Sequence, residues 1–211
     1  MRNLIILIFL ALSVNGYGQD TENAIYNSRL KVSPIQFGNS HFEFSYERFF
    51  GNNKSFTISP TIMLKRNNFE EFKGIQLELQ YRVYLKRLNS IEHSTWIFSN
   101  IDLYAGLYAN GLTYDEDRTE WGDWDPVTMT QVVDSYNKTV VGGETGVFVG
   151  LQLNVAKRIV IDFTVGGAVR YTEIDDEFED AFSTYNYYYD VFDLEYYGVK
   201  PKLNLQLGIT L

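Results

Sequence analysis

The chain of 211 residues contains no cysteine, which removes disulfide frameworks, thiolate metal sites and thiol nucleophiles together. It has two histidines, His41 and His93, and four prolines. Past its first residues no apolar run approaches the ~18 residues that a membrane-spanning helix requires. Positive charge is also scarce: 18 Lys and Arg stand against 27 Asp and Glu, a formal charge of −9, so nucleic acid is not an expected partner. What the chain has instead is 16 Tyr, 15 Phe and 16 Gly, arranged with a period of two.

The alternation is clearest in residues 199–211, where Leu203, Leu205, Leu207, Ile209 and Leu211 share one face and Lys202, Asn204, Gln206, Gly208 and Thr210 share the other. Period two is the mark of a strand. A run this long, aliphatic on one side and polar on the other, suits a bilayer-spanning barrel strand of about 9–11 residues better than an ordinary strand of about 5–6. At the other end, Arg2, the apolar run from Leu4 to Leu12, and Gly16 and Gly18 before Gln19 have the form of a secretory signal peptide. No Cys follows it, so no lipid-anchored form is expected.

The expected organisation is a signal peptide over residues 1–18, an N-terminal lead over 19–28 and a barrel domain over 29–211. Strands are expected at 29–37, 41–50, 54–64, 74–86, 96–112, 138–155, 159–172 and 199–211. In the fourth, Ile75, Leu77, Leu79, Tyr81, Val83 and Leu85 point out, and Gln76, Glu78, Gln80, Arg82 and Tyr84 point in. Pro60 sits in the middle of the third strand, where a bulge is expected. Up-and-down alternation puts short turns near 51, 88 and 156 at one end. Connections near 38, 65–73, 113–137 and 173–196 fall at the other, the last two being long loops. The fold class is therefore all-β: an eight-stranded antiparallel up-and-down transmembrane barrel with short periplasmic turns and two long extracellular loops. Phe49, Phe50, Tyr84, Trp96, Tyr114, Tyr171 and Tyr197, near strand ends, are candidates for interfacial girdles.

The signal peptide, the eight amphipathic strands, the stretch Phe44-Ser45-Tyr46-Glu47-Arg48-Phe49-Phe50 before a Gly/Asn turn, and the aliphatic final strand resemble small outer-membrane β-barrels of Gram-negative envelopes. The resemblance is to OmpA/OmpX-like barrels, and within them to those of Bacteroidetes type. It implies location in the outer membrane, contact with its lipid and lipopolysaccharide, insertion by the outer-membrane assembly machinery, and a barrel without the periplasmic domain that some relatives carry. It implies no activity.

An eight-stranded barrel is just wide enough to be filled by side chains. Gly106, Gly142, Gly146, Gly150 and Gly166 fall on the inner face and leave room for Arg82, Tyr84, Tyr104, Tyr108 and Arg170. The expected polar network of the lumen is Glu78, Arg82, Asp102, Tyr104, Glu144, Asp162, Arg170 and Lys200, with Glu43, Glu47, Lys86 and Lys202 also inward. Charges in so tight a space must pair, and structural pairing is preferred to a proton or ion path. His41, beside Ser40 and two residues from Glu43, is the only candidate base for nucleophilic chemistry, and nothing recognisable surrounds it, so no enzyme is expected.

Function is expected in the long loops. The first carries Trp121, Asp123, Trp124 and Asp125, the second Asp175, Asp176, Tyr187 and Tyr188. Neither has the spacing of a calcium loop, and no metal or cofactor is expected; acidic and aromatic residues together suit a contact surface for an extracellular protein or glycan. The reading is of a monomeric structural or surface-interaction barrel. Its alternatives are a narrow porin and a soluble periplasmic barrel of lipocalin type, whose inner face would be the apolar one.

Overall fold

A computed structural model of the chain describes residues 28–38, 40–51, 53–66, 70–88, 98–125, 130–155, 158–176 and 196–211. Its elements are β1 (Ser28–Val32), α1 (Pro34–Gly38), β2 (His41–Phe50), β3 (Lys54–Arg66), β4 (Glu70–Leu88), β5 (Phe98–Asp125), β6 (Thr130–Val155), β7 (Ile159–Asp176) and β8 (Gly198–Thr210). Each strand pairs antiparallel with the next, and β8 returns to β1 to close the barrel. The eight-stranded up-and-down architecture is thus the one that the alternation predicts. The expected signal peptide, the expected lead up to residue 27, Trp96 and His93 lie outside the described residues.

Several boundaries differ, each for a physical reason. β1 ends at Val32 rather than near residue 37 because Pro34 has no N–H for a ladder and its fixed φ suits the first turn of a helix. The Ser33 carbonyl accepts from the Phe37 N–H at 3.4 Å, and Ser40, at φ 62°, turns the chain into β2. Pro60 produces no bulge. Its register with Leu77 is continuous, and toward β2 the pairing simply skips from Glu43↔Thr61 to Tyr46↔Ile58 without a slip. The missing donor leaves a rung open instead of displacing the strand. The bulges fall at Tyr84/Lys86, Phe98/Asn100 and Trp121/Trp124.

The supposed loop at 113–137 is mostly sheet: β5 runs to Asp125 and β6 begins at Thr130. Period two persists there, with Leu112, Tyr114 and Glu116 buried and Thr113, Asp115 and Asp117 exposed. The outer face has turned polar, which makes a strand read like a loop. Residues 70–73 and 173–176 likewise belong to β4 and β7. Above Glu70↔Arg118 and Lys138↔Asp176, β5 and β6 have no further outer neighbour among the described residues and remain paired with each other from Thr119↔Ser135 to Asp125↔Thr130. This end is called upper below.

The barrel is apolar outside and polar inside, the reverse of a lipocalin. From Ile75 to Leu85 the outward residues of β4 are all apolar or aromatic, and Leu103, Val147, Phe163, Val165, Leu203 and Leu207 continue the belt around the wall. Ten steps of ~3.3 Å along β4, at the tilt of ~40° that closure requires, make a band about 25 Å tall, the height of the lipid-facing band of membrane barrels. Above it the outer face is hydrophilic. Thr139 donates to Asp115 at 2.8 Å, and Asn137 to Asp117 at 2.7 Å.

Among the girdle candidates, Phe50, Tyr171 and Tyr197 face outward, the two tyrosines in an edge-to-face pair at 5.8 Å. Phe49, Tyr84 and Tyr114 do not: strand parity turns them into the lumen, where they are buried.

Candidate functional site

The lumen is filled by one connected set of polar side chains. At its lower end Lys31 lies 2.5 Å from Asp162 and 2.8 Å from Glu47, while Arg82 lies 2.6 Å from Asp162 and 3.7 Å from Glu47. All four side chains are wholly buried. Tyr84 donates to Glu47 at 2.6 Å, Ser55 donates to it at 2.5 Å, and the Tyr104 hydroxyl bonds Asp162. Arg29 joins from β1, 3.6 Å from Asp102 and 3.1 Å from Asn154. A charge in this space is tolerable because each has opposite charges and hydrogen bonds around it.

Upward, Arg82 donates to Gln80 at 2.7 Å, Gln80 donates to Glu78, and Glu78 pairs with Lys202. Lys202 stands 3.6 Å from the centre of the Tyr108 ring, and Tyr108 donates to Glu144 at 2.5 Å. Glu144 also binds Arg170 at 2.6 Å and Lys200 at 3.3 Å. All eight residues of the expected network, Glu78, Arg82, Asp102, Tyr104, Glu144, Asp162, Arg170 and Lys200, therefore belong to one chain of contacts. Lys86, expected beside them, is not among the described side chains.

Arg29 and Lys31 are central to that chain and absent from the expected one. Their signal was legible, since both alternate with Leu30 and Val32, but a strand read through to residue 37 gave no reason to look for cations at its first turns. Counting them, the inward acids among the described side chains are Glu43, Glu47, Glu78, Asp102, Glu116, Glu144 and Asp162. The inward bases are Arg29, Lys31, Arg82, Lys138, Arg170, Lys200 and Lys202. The numbers match, so the net charge of −9 resides outside this set.

Aromatic rings take up the remaining width. Phe49, Tyr84, Tyr104, Phe148 and Tyr108 follow one another at 5.2–6.0 Å between centroids, with the Arg82 guanidinium 4.6 Å from the Tyr104 ring. The inward glycines make this possible: a Cβ on Gly150 would strike the Tyr104 ring, and one on Gly146 would come 2.7 Å from Tyr108. Gly142 instead sits against Leu112. Above the polar chain lies an apolar layer that the alternation did not reveal, formed by Met63, Phe72, Leu112, Tyr114 and Val140. With it in place the described interior holds a packed plug rather than a water column.

The other candidates are not brought together. His41 Nδ1 lies 3.3 Å from Gln36 Oε1 and its ring stacks on Phe72 at 6.2 Å. No hydroxyl or carboxylate among the described residues bonds it, and Glu43 turns toward β8. At the upper end Trp121, Asp123, Trp124 and Asp125 lie on β5, next to or within the bulge at Trp121/Trp124. Asp175 and Asp176 end β7, paired with Thr139 and Lys138. Tyr187 and Tyr188 lie outside the described residues.

No protein-family model matches the chain, and no curated protein matches it. Among solved structures it is similar to the N-terminal beta-barrel domain of Pseudomonas aeruginosa OprF, with 10% identity, over 87% of this chain and 96% of that one, at a TM-score of 0.34. A likeness at that level leaves the chain's own residues to say what it does.

Proposed function

We propose that this chain is an integral outer-membrane β-barrel that serves a structural or surface-interaction role, exported by residues 1–18 and presenting its upper end outside the cell. One observation carries the reading: a belt of outward apolar side chains about 25 Å tall surrounds a charge-matched polar interior. In water that belt would be an aggregation surface; in a bilayer it costs nothing. Its surroundings are then outer-membrane lipid and lipopolysaccharide, reached through the outer-membrane assembly machinery, with the protein acting as a monomer. The upper part of β5 and β6 supports an interaction role, because it extends beyond the described ends of β4 and β7 and carries Glu120, Trp121, Asp123, Trp124 and Asp125 without a cation between them. An extracellular protein or glycan is the partner proposed.

Fractionation tests the membrane reading: the protein should stay with membranes in alkaline carbonate and shift in gel mobility on heating, and release by carbonate with no such shift would overturn it. Trimming residues 119–135 and 177–195 to Gly/Asn turns tests the role. Folding and heat modifiability should survive while surface binding is lost; equal binding would move the function into the wall or lumen. The porin alternative is disfavoured by the apolar layer around Met63 and Val140. Planar bilayers should show no steady conductance, and nanosiemens channels would restore that reading.

A further inference from the structure

The wall of the barrel is not equally closed all round. β1 ladders with β8 only from Arg29↔Thr210 to Val32↔Leu207, and with β2 only from Ser28↔Arg48 to Val32↔Phe44. β8 nevertheless continues up to Gly198 and β2 up to His41. Above Val32 the edges of β8 and β2 thus face one another with no strand between them among the described residues. Two prolines maintain the gap. Pro34 ends β1, and Pro201, in the part of β8 that ladders with β7 but not with β1, has no N–H to offer a partner.

The gap is covered by α1, one turn and a half of helix tied down by Ser33. The Ser33 N–H bonds the Glu43 carbonyl at 3.4 Å, and its hydroxyl bonds Asn204 Oδ1 at 2.8 Å and the Leu205 carbonyl at 3.1 Å. On the outside, Phe37 packs on Phe42 at 5.5 Å, and Ile35 and Leu203 are exposed nearby in sequence and register.

Behind the cover sits Glu43. Asn204 donates to its Oε1 at 3.0 Å, Gln206 at 2.5 Å and Ser45 at 3.4 Å. Each of the other six inward acids has a cation within 4.0 Å; Glu43, buried to 6% exposure, has none among the described residues. Next to it, two buried oxygens have no hydrogen-bond partner among the described residues: Thr61 Oγ1, directly across from Glu43 on β3, and Gln206 Oε1, at the other end of the amide that bonds Glu43. The site has a buried carboxyl group without a cation and an excess of acceptors among the described residues, and it lies behind an apolar outer surface.

We propose that the upper seam between β8 and β2 is a lateral binding site for a membrane amphiphile with a primary ammonium head group, Glu43 supplying the counter-charge. The proposal rests on the membrane reading above. A primary ammonium carries one positive charge and three N–H donors, which match Glu43 Oε2, Thr61 Oγ1 and Gln206 Oε1. A hard divalent cation asks for several carboxylates and finds one. An alkyl chain attached to the ammonium would leave through the seam along Phe37, Phe42 and Leu203, in the upper part of the apolar belt, where lipid head groups lie. Entry requires α1 to move, and what holds it is side-chain bonding rather than a strand ladder.

The test uses the whole refolded barrel in detergent micelles, with native mass spectrometry reading retention of dodecylamine and of dodecyltrimethylammonium, which has the same charge and chain but no N–H donors. The ammonium form should be retained about tenfold better, the worth of a charge-assisted hydrogen bond. Glu43→Gln should remove that preference while the heat-dependent gel shift persists. A second variant, Ser33→Cys with Asn204→Cys, pins α1 to β8: oxidised it should lose dodecylamine and reduced it should recover it. Equal retention of the two amphiphiles, an unchanged preference in Glu43→Gln, or binding by the cross-linked form would each overturn the proposal. Competition by soluble ethylamine as strong as by dodecylamine would overturn its lipid part, leaving an amine site entered from water. A protein that never partitions into micelles or membranes would instead refute the membrane reading itself.

Discussion

Glu43 and Glu47 lie four residues apart on the same inner face of β2, both buried, yet the lumen treats them differently. Glu47 has Lys31 at 2.8 Å, Arg82 at 3.7 Å and Arg29 at 4.0 Å. Glu43 has two amides and a hydroxyl. The difference is made by β1. That strand brings Arg29 level with Glu47 and Lys31 level with Ser45, then ends at Val32, one residue past the level of Ser45. A buried carboxylate whose neighbour strand stops short is left to neutral donors. The lower lumen is accordingly a cross-linked ionic plug, and the upper seam a place where charge, acceptors and backbone edges remain uncommitted.

The largest effect that sharpens this contrast is expected from Glu47→Gln. It leaves Lys31, Arg82 and Arg29 with less counter-charge in a dry interior and should cost about 3–5 kcal/mol in denaturant unfolding of the refolded barrel. A cost under 1 kcal/mol would mean that the lower network is wet and the contrast false. Next comes Gly150→Val, which drives a side chain into the Tyr104 ring and with it the Asp162 contact; about 1–3 kcal/mol is expected from overpacking, read in the same unfolding curves. If the variant is as stable as the parent, Tyr104 is not held where the plug needs it.

Hydrogen exchange compares the two regions of β8 directly. Amides of residues 199–205 that point away from β7 should exchange at least about tenfold faster than those of 207–209 that face β1, because local opening there breaks side-chain bonds rather than a ladder. Uniform protection along β8 would close the seam. The smallest effect is expected from Glu43→Gln, which removes no ion pair and keeps an acceptor for Asn204 and Gln206; less than about 1 kcal/mol should be lost. A loss as large as that of Glu47→Gln would show that Glu43 has a cation after all.

Period two sets the inner and outer faces of β2 to β8 wherever both are described, though not those of β1, and so places Glu78, Arg82, Asp102, Tyr104, Glu144, Asp162, Arg170 and Lys200 in one lumen. It fails where the outer face leaves the apolar belt: Asp115, Asp117 and Thr139 continue the pleat, but with polar residues on the outer face hydrophobicity no longer reports it, so alternation ends β5 too early and starts β6 too late. It also gave Phe49, Tyr84 and Tyr114 to the girdles by nearness to strand ends, where parity alone would have turned them inward.

By itself, then, the sequence determined the class, the strand count and the polarity of the two faces, because these follow from local alternation that any registration of the strands preserves. Only the tertiary structure decided which charges meet. Lys31 is 131 residues from Asp162, and Lys202 is 124 from Glu78, so their pairing depends on the relative stagger of strands around the closed wall, to which no local pattern refers. The same stagger, combined with the early end of β1 at Pro34, left Glu43 facing β8 across an open seam.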